Sequence, residues 1–299
     1  MPTLALATVE IEVEKGLDGS PIRRLLDPRA SAAASAELVR LVYRKRALTY
    51  ELARREITSE HTTKALGMFW GIVQPLFVLI VYALIYGVVF KARIGGTHAL
   101  PRNFTIYLLS GLVPWFAFLL SMTKATSVIV GNANLVKEVV FDLNLLPVAT
   151  AIAACFSLVL GLGFVVLLSL LDYGVPPLTY LALPALFLVQ FLAMTGSAFA
   201  LSALGTFIRD VRDLVQLSAV VLIFLMPIVY VPTEVPSTFR PLVALNPLTY
   251  MVYCYQDVLY FGRIAHPTAW IVFPLGSLFL FAAGYRLFRR VRPFFANVL

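Results

Sequence analysis

The stretch SALGTFIRDVRDLVQ, Ser202–Gln216, decides how this chain folds. It sets Arg209, Asp210, Arg212 and Asp213 within five residues, between two apolar runs, Leu178–Ile208 and Leu214–Val231. Each run is long enough to cross a bilayer. Four charges this close together are too costly to leave in hydrocarbon. The turn is therefore expected in water or against another protein, and its two arginines favour the cytoplasmic side.

The composition agrees. The chain is 60% hydrophobic and 13% charged, with a mean hydropathy of +0.86. So few charges exclude a disordered chain, and apolar residues in long unbroken blocks point to membrane spans. The net charge of +8 is explained by Lys and Arg gathering in cytoplasmic loops rather than by nucleic acid. Cys155 and Cys254 make no disulfide framework, and the scattered His61, His98 and His266 give no metal-ligand spacing.

Working outward from the elbow, spans are expected at about 66–90, 104–122, 145–171, 178–208, 214–231 and 269–287, within a transmembrane domain of residues 63–299. Gln74-Pro75 is expected to kink the first and to free a carbonyl. The fourth carries Gly196, Ser197, Ala198, Ala200, Ser202, Ala203 and Gly205, small residues that permit close helix packing. Residues 123–144 form a mixed loop, expected as short helices along the cytoplasmic surface. Residues 232–268 are too apolar for a floppy loop and too broken by proline for a span. Short re-entrant or interfacial helices fit them, because irregular backbone at depth needs protein or water around it.

Residues 1–36 have no apolar segment after a basic start and read as a flexible cytoplasmic tail rather than a cleaved signal. Residues 37–62 place Leu38, Leu41, Val42, Leu48 and Leu52 at roughly helical spacing among Arg44, Arg46, Arg54 and Arg55, with Lys45 interrupting the apolar face. This predicts an amphipathic helix lying in the interface on anionic headgroups; a solvated helix packed on a partner is the alternative. The fold class is thus an all-α membrane protein of six transmembrane helices, with an N-terminal amphipathic interface helix and short re-entrant outer helices. On this layout nineteen of the 24 Lys and Arg fall on one side and five on the other. That bias puts both termini in the cytoplasm.

No catalytic set is present. The chain lacks G-x-x-x-x-G-K-[ST], G-x-S-x-G and H-E-x-x-H. Its spans carry almost no ionisable residues, which disfavours proton-coupled carriage. Energy must then come from outside the chain, or there is no pumping at all. Asn134, Lys137 and Glu138 in the inner loop, and Arg209, Asp210 and Arg212 at the elbow, are candidates for contact with such an engine. For the elbow the alternative is that it caps helix ends and anchors topology. Trp70, Trp115, Phe116, Tyr250, Tyr253 and Tyr255 are candidates for stacking on sugar rings, or form an interfacial aromatic belt.

Four stretches, in order, resemble the permease subunit of ABC (ATP-binding-cassette) polysaccharide exporters, the type-two family that moves O antigen, capsule or teichoic acid. They are KALGMFWGIVQPLFVLIVYALIYGVVF (Lys64–Phe90), FTIYLLSGLVPWFAF (Phe104–Phe118), NANLVKEVVFDLNLLPVA (Asn132–Ala149), and FIRDVRDLVQ (Phe207–Gln216) with MPIVYVPTEVPSTFRPLVALNPLTYMV (Met226–Val252). The likeness runs from about Val42 to the C-terminus. It implies a homodimer with six spans per subunit in the inner membrane, served by two copies of a separate ATPase. That partner would hold ATP and Mg, with no cofactor in this chain. It implies a lipid-linked glycan as substrate, membrane lipids around it, and no nucleic acid. The region Asn132–Asp142 corresponds to the family's coupling helix, seated in a cleft of the ATPase. Two departures stand out: an N-terminal extension of roughly 35 residues, and Phe141-Asp142-Leu143, where the family more often shows Phe-Pro-Arg. Rival readings are an ABC permease for small molecules and an integral membrane enzyme acting on lipid-linked sugars. The enzyme would need clustered ionisable groups near the interface, and only the elbow has that density.

Overall fold

Lipid offers backbone groups no hydrogen-bond partner, so a chain this apolar must satisfy them within helices. The computed structural model describes residues 37–38, 40–58, 69–89, 103–136, 141–232 and 235–298, and no strand occurs among them. The chain divides at Arg44 into two compact units. In the first, residues 37–38 and 40–44 are helical. The second, Lys45–Leu299, holds the long helices.

In chain order these are α1 (Arg46–Thr58), α2 (Trp70–Leu84, continued by a π turn at Ile85–Val89), α3 (Phe104–Val128), α4 (Ala133–Val136), α5 (Leu145–Tyr173), α6 (Leu183–Phe207), α7 (Val211–Phe224), α8 (Arg240–Leu245), α9 (Pro247–Gln256, continued by a π turn at Asp257–Phe261), and α10 (Ala269–Val291). Five segments are long and apolar enough to cross a membrane: Trp70–Val88, Phe104–Val128, Leu145–Asp172, Leu178–Phe207 and Ala269–Phe294. Each overlaps a predicted span, with ends shifted by up to seven residues.

The remaining predicted span, 214–231, is shorter as a helix. Helix α7 has 14 residues, about 21 Å at 1.5 Å per residue, and it stops three residues before Pro227. Proline has no N–H for the helical ladder and its ring clashes with the carbonyl four residues back. The irregular backbone that follows is held by side chains. The Pro227 carbonyl accepts from Tyr107 Oη at 3.0 Å and from Gln256 Nε2 at 2.7 Å. The Tyr230 carbonyl accepts from Tyr107 at 3.2 Å. This is irregular backbone covered by protein, as a membrane interior requires.

Side-chain contacts fix the direction of each helix. Gln190 of α6 donates to the Pro114 carbonyl of α3 at 2.9 Å, and Gly205 lies against Thr126, so α3 and α6 run the same way. Phe199 meets Tyr285 and Phe288 at ring distances of 5.1 and 5.2 Å, and Phe207 meets Phe295 at 5.9 Å, so α10 runs with them. Gly161 of α5 abuts Val113, while a shared cavity joins Ala153 and Phe156 to Leu120; α5 runs oppositely. Helix α2 also opposes α3, since Tyr86 meets Phe104 and Trp70 shares the same cavity as Leu120. The alternation gathers the inner loop, the elbow and the arginines after Tyr285 at one basic end of the bundle. Tyr107, Pro227 and α9 gather at the opposite, aromatic end.

The α3 helix is the centre. Of its most apolar stretch 78% is buried, against 6% for α2. Several hydroxyls in α3 and its neighbours bond within their own helix: Ser110 to Tyr107 O, Ser169 to Val165 O, Thr195 to Phe191 O, Ser202 to Phe199 O and Ser277 to Phe273 O. Close packing comes from small residues instead. A Cβ on Gly196 would lie 2.5 Å from the Phe281 backbone, and one on Gly284 would overlap the Gly196 carbonyl. Only glycine lets α6 and α10 approach this far.

Candidate functional sites at the two ends of the bundle

At the basic end, α1 packs against α5. The buried positions on α1 are Thr49 and Ala53, one helical turn apart. Leu48, expected on the packed face, is 40% exposed. Of the expected apolar residues Leu38 is buried and Leu41, Val42 and Leu52 are half-buried, so Leu48 departs, and the small Thr49 and Ala53 take the buried face of α1. The single helix expected over 37–62 is also interrupted at Lys45, which adopts a turn, and residues 59–62 lie outside the described residues. The Lys45 ammonium forms an ion pair with Asp142, just before α5. At the other end of α1, Glu56 pairs with Lys124 of α3 at 3.6 Å, and Lys124 also donates to the Glu56 carbonyl at 3.0 Å. Arg46, Arg54 and Arg55 are exposed, as is Arg44 in the first unit. Arg54 and Glu51 approach to 4.0 Å, a surface pair of small worth.

In the inner loop, Asn132 Nδ2 donates to the Val128 carbonyl at 2.8 Å and so satisfies an end carbonyl of α3. Asn134 is exposed on the short α4. Lys137 and Glu138 lie outside the described residues. At the elbow α6 ends at Phe207 and α7 begins at Val211, and Arg209, Asp210, Arg212 and Asp213 are all exposed. The Asp210 side chain makes no capping hydrogen bond to α7, while Asp213 lies in its first turn, where an acid complements the helix dipole.

A cavity of about 300 Å³ lies between α1, α2, α3 and α5. Trp70, Gln74, Phe116, Lys124, Phe156 and Ser157 are among its lining. It brings together two of the aromatic candidates, Trp70 and Phe116. It separates them from Trp115, which is 1% exposed and packs in the core of the bundle.

At the aromatic end, Asp257 is completely buried and fully engaged. Its Oδ2 accepts from the His266 backbone N–H at 3.0 Å and from the Trp270 indole N–H at 3.0 Å. Its Oδ1 lies 2.7 Å from His266 Nδ1. The His266 ring stacks on Tyr253 with centroids 4.1 Å apart and planes 6° from parallel. The carboxylate thus ties the π turn after α9 to the start of α10 and fixes one face of Tyr253. Tyr253 and Tyr250, with Arg240, Val243 and Thr268, line a cavity of about 460 Å³. The Tyr250 hydroxyl donates to the Ala244 carbonyl at 2.8 Å. Tyr255, the third tyrosine of the predicted group, is fully buried and points away from any such wall.

The Asp257–His266–Trp270 cluster was not singled out in the sequence. Its one signal is a lone carboxylate in the aromatic run YCYQDVLYF, Tyr253–Phe261, where an unpaired charge would be too costly to keep. The two ion pairs of α1 had no signal, since their partners lie 97 and 68 residues apart.

Comparison with known proteins agrees with this architecture. Two Klebsiella pneumoniae proteins, each described as O-antigen export system permease protein RfbA, are 25% identical to this chain over 255 residues, covering 83% of it and 93% of each relative. A Myxococcus xanthus protein of the same description is 26% identical over 263 residues, covering 87% of this chain and 98% of the relative. Residues 47–260, from α1 to the π turn after α9, match the ABC-2 type transporter family. That match spans most of the chain, its elbow, inner loop and aromatic end included, and the protein therefore belongs to the ABC-2 type transporter family as a multi-pass membrane permease.

Proposed function

We propose that this chain is the channel-forming subunit of an ATP-driven exporter that carries a lipid-linked polysaccharide, O antigen or a similar cell-surface glycan, out of the cytoplasm across the inner membrane. The observation that carries the reading is the likeness to O-antigen export permeases along nearly the whole length of both partners. The chain has no phosphate-binding loop of its own, so two copies of a separate ATPase subunit, holding ATP and Mg, would supply the energy. Two copies of this chain would form the channel, because the buried α3 leaves no path through the middle of one protomer. The relatives are described by O antigen, which favours that substrate over capsule, teichoic acid or a small molecule. The absence of a catalytic motif disfavours an enzyme acting on lipid-linked sugars.

On this reading α7 and the braced turn to Tyr230 make the fifth of six crossings. Both termini and the basic end face the cytoplasm, residues 1–36 form a tail, α1 is the interface helix, and 232–268 are the re-entrant outer helices. The inner loop and the exposed elbow offer Asn132, Asn134, Lys137, Glu138, Arg209, Asp210 and Arg212 to the ATPase. Trp70 and Phe116 near the basic end, and Tyr250 and Tyr253 at the outer end, present aromatic faces to the glycan.

Two measurements test this reading. Purification from native membranes in mild detergent is expected to yield a stoichiometric ATPase with magnesium-dependent turnover. Deletion of the gene is expected to abolish the long-chain surface glycan while lipid-linked glycan accumulates inside. A chain that purifies alone, with unchanged surface glycan on deletion, overturns the reading.

A further inference from the structure

Helix α1 is tied down at both ends, and the two ties have opposite sense. At its start a base of this segment, Lys45, meets an acid beside α5, Asp142. At its end an acid, Glu56, meets a base of α3, Lys124. Between them Thr49 and Ala53 pack against α5. A reversed α1 would bring Lys45 to Lys124 and Glu56 to Asp142, which like charges oppose. The charges therefore fix the helix in one polarity.

The anchor points also bracket one segment of chain. Lys124 lies on the last turn of α3 and Asp142 lies just before α5, so everything between them is the inner loop. In Phe141-Asp142-Leu143 the acid stands at the place of the proline in the Phe-Pro-Arg that the family resemblance leads one to expect, and Asp142 has a partner, Lys45, inside the chain. Both ties are shielded to some degree, with side-chain exposures of 38% and 28% for Lys45 and Asp142 and 12% and 27% for Lys124 and Glu56.

We propose that Lys45 and Asp142 are positioning residues that make α1 and the inner loop a single moving body, so that a push on the loop is delivered to α1 and to the Trp70–Phe116 cavity beside it. This rests on the reading of the inner loop as the contact for an ATPase. The mechanical content is independent of it: the two segments keep their contact throughout the cycle.

The test uses the full chain with its copurifying ATPase, with the surface glycan of intact cells as the export readout and ATP hydrolysis measured on the purified complex. Lys45→Glu and Asp142→Lys each replace an attraction with a repulsion and are expected to lower surface glycan about fivefold, discounted for partial exposure. The double exchange Lys45→Glu/Asp142→Lys restores the attraction with reversed sign and is expected to recover export to within about twofold. Lys45→Cys with Asp142→Cys, joined by a short bis-maleimide, is expected to leave export intact, and native Cys155 and Cys254 are buried away from the reagent. Unchanged single exchanges, a double exchange no better than the worse single, or arrest of export by the bridge each overturn the inference. A wild-type complex without ATP hydrolysis or surface glycan would instead sink the exporter reading.

Discussion

Gly284 faces the carbonyl oxygen of Gly196 with no room for a methyl group between the two helices. Either glycine replaced by alanine must push α6 and α10 apart along the seam that also carries Phe199, Tyr285 and Phe288. Gly284→Ala is expected to lose about 2 kcal/mol of stability, the usual cost of overpacking a dense interface. Gly276, on the same helix with open space beside it, is the control: Gly276→Ala is expected to be near neutral. Thermal unfolding in detergent distinguishes the two.

The carboxylate of Asp257 accepts from one indole and one backbone N–H. Asp257→Ala leaves both donors buried without an acceptor and is expected to cost about 3 kcal/mol. Asp257→Asn should be much milder. Its oxygen can face the two N–H groups while its amide donates to His266 Nδ1 in the neutral tautomer. Equal losses for the two variants would show that the network contributes little.

Tyr107 and Gln256 share the Pro227 carbonyl. Tyr107→Phe or Gln256→Leu alone leaves that carbonyl one donor, and each is expected to cost about 0.6 kcal/mol, typical of a polar contact within a membrane protein. Together they orphan it, and the double variant should lose more than the sum of the singles, by about 1 kcal/mol. A double-mutant cycle of unfolding free energies measures this excess.

At the elbow all four charges point outward and none caps a helix through Asp210. Arg209→Glu with Arg212→Glu is therefore expected to leave the unfolding temperature unchanged and to reduce the amount of ATPase that copurifies. Full retention of the partner would assign the elbow to membrane topology alone.

Span positions were legible because hydrophobic length is a property of each segment by itself. Five of the expected segments reappear with ends shifted by up to seven residues. The fifth predicted span was legible only in part: Pro227 marked a break, but nothing in 214–231 shows that Tyr107 and Gln256 would brace the chain beyond it. Leu48 was misjudged for a related reason. A leucine stripe signals burial in general, whereas close approach to one particular helix favours Thr49 and Ala53. Aromatic residues were the least legible. Trp115 and Tyr253 look alike in sequence, yet one is enclosed by the core and the other lines a cavity. That distinction depends on which neighbours fold around each ring.

The hydroxyls of Ser110, Ser169, Thr195, Ser202 and Ser277 are already satisfied by the turn beneath them. Seen as machinery, these helices meet across largely apolar faces, with Gln190 on Pro114 a polar contact between them. Sliding one face past another breaks dispersion contacts that reform a fraction of an ångström further on, not hydrogen bonds that must first be torn. A bundle jointed in this way can shear in small steps at low cost while its two ends, bound by ion pairs and by Asp257, keep their shape.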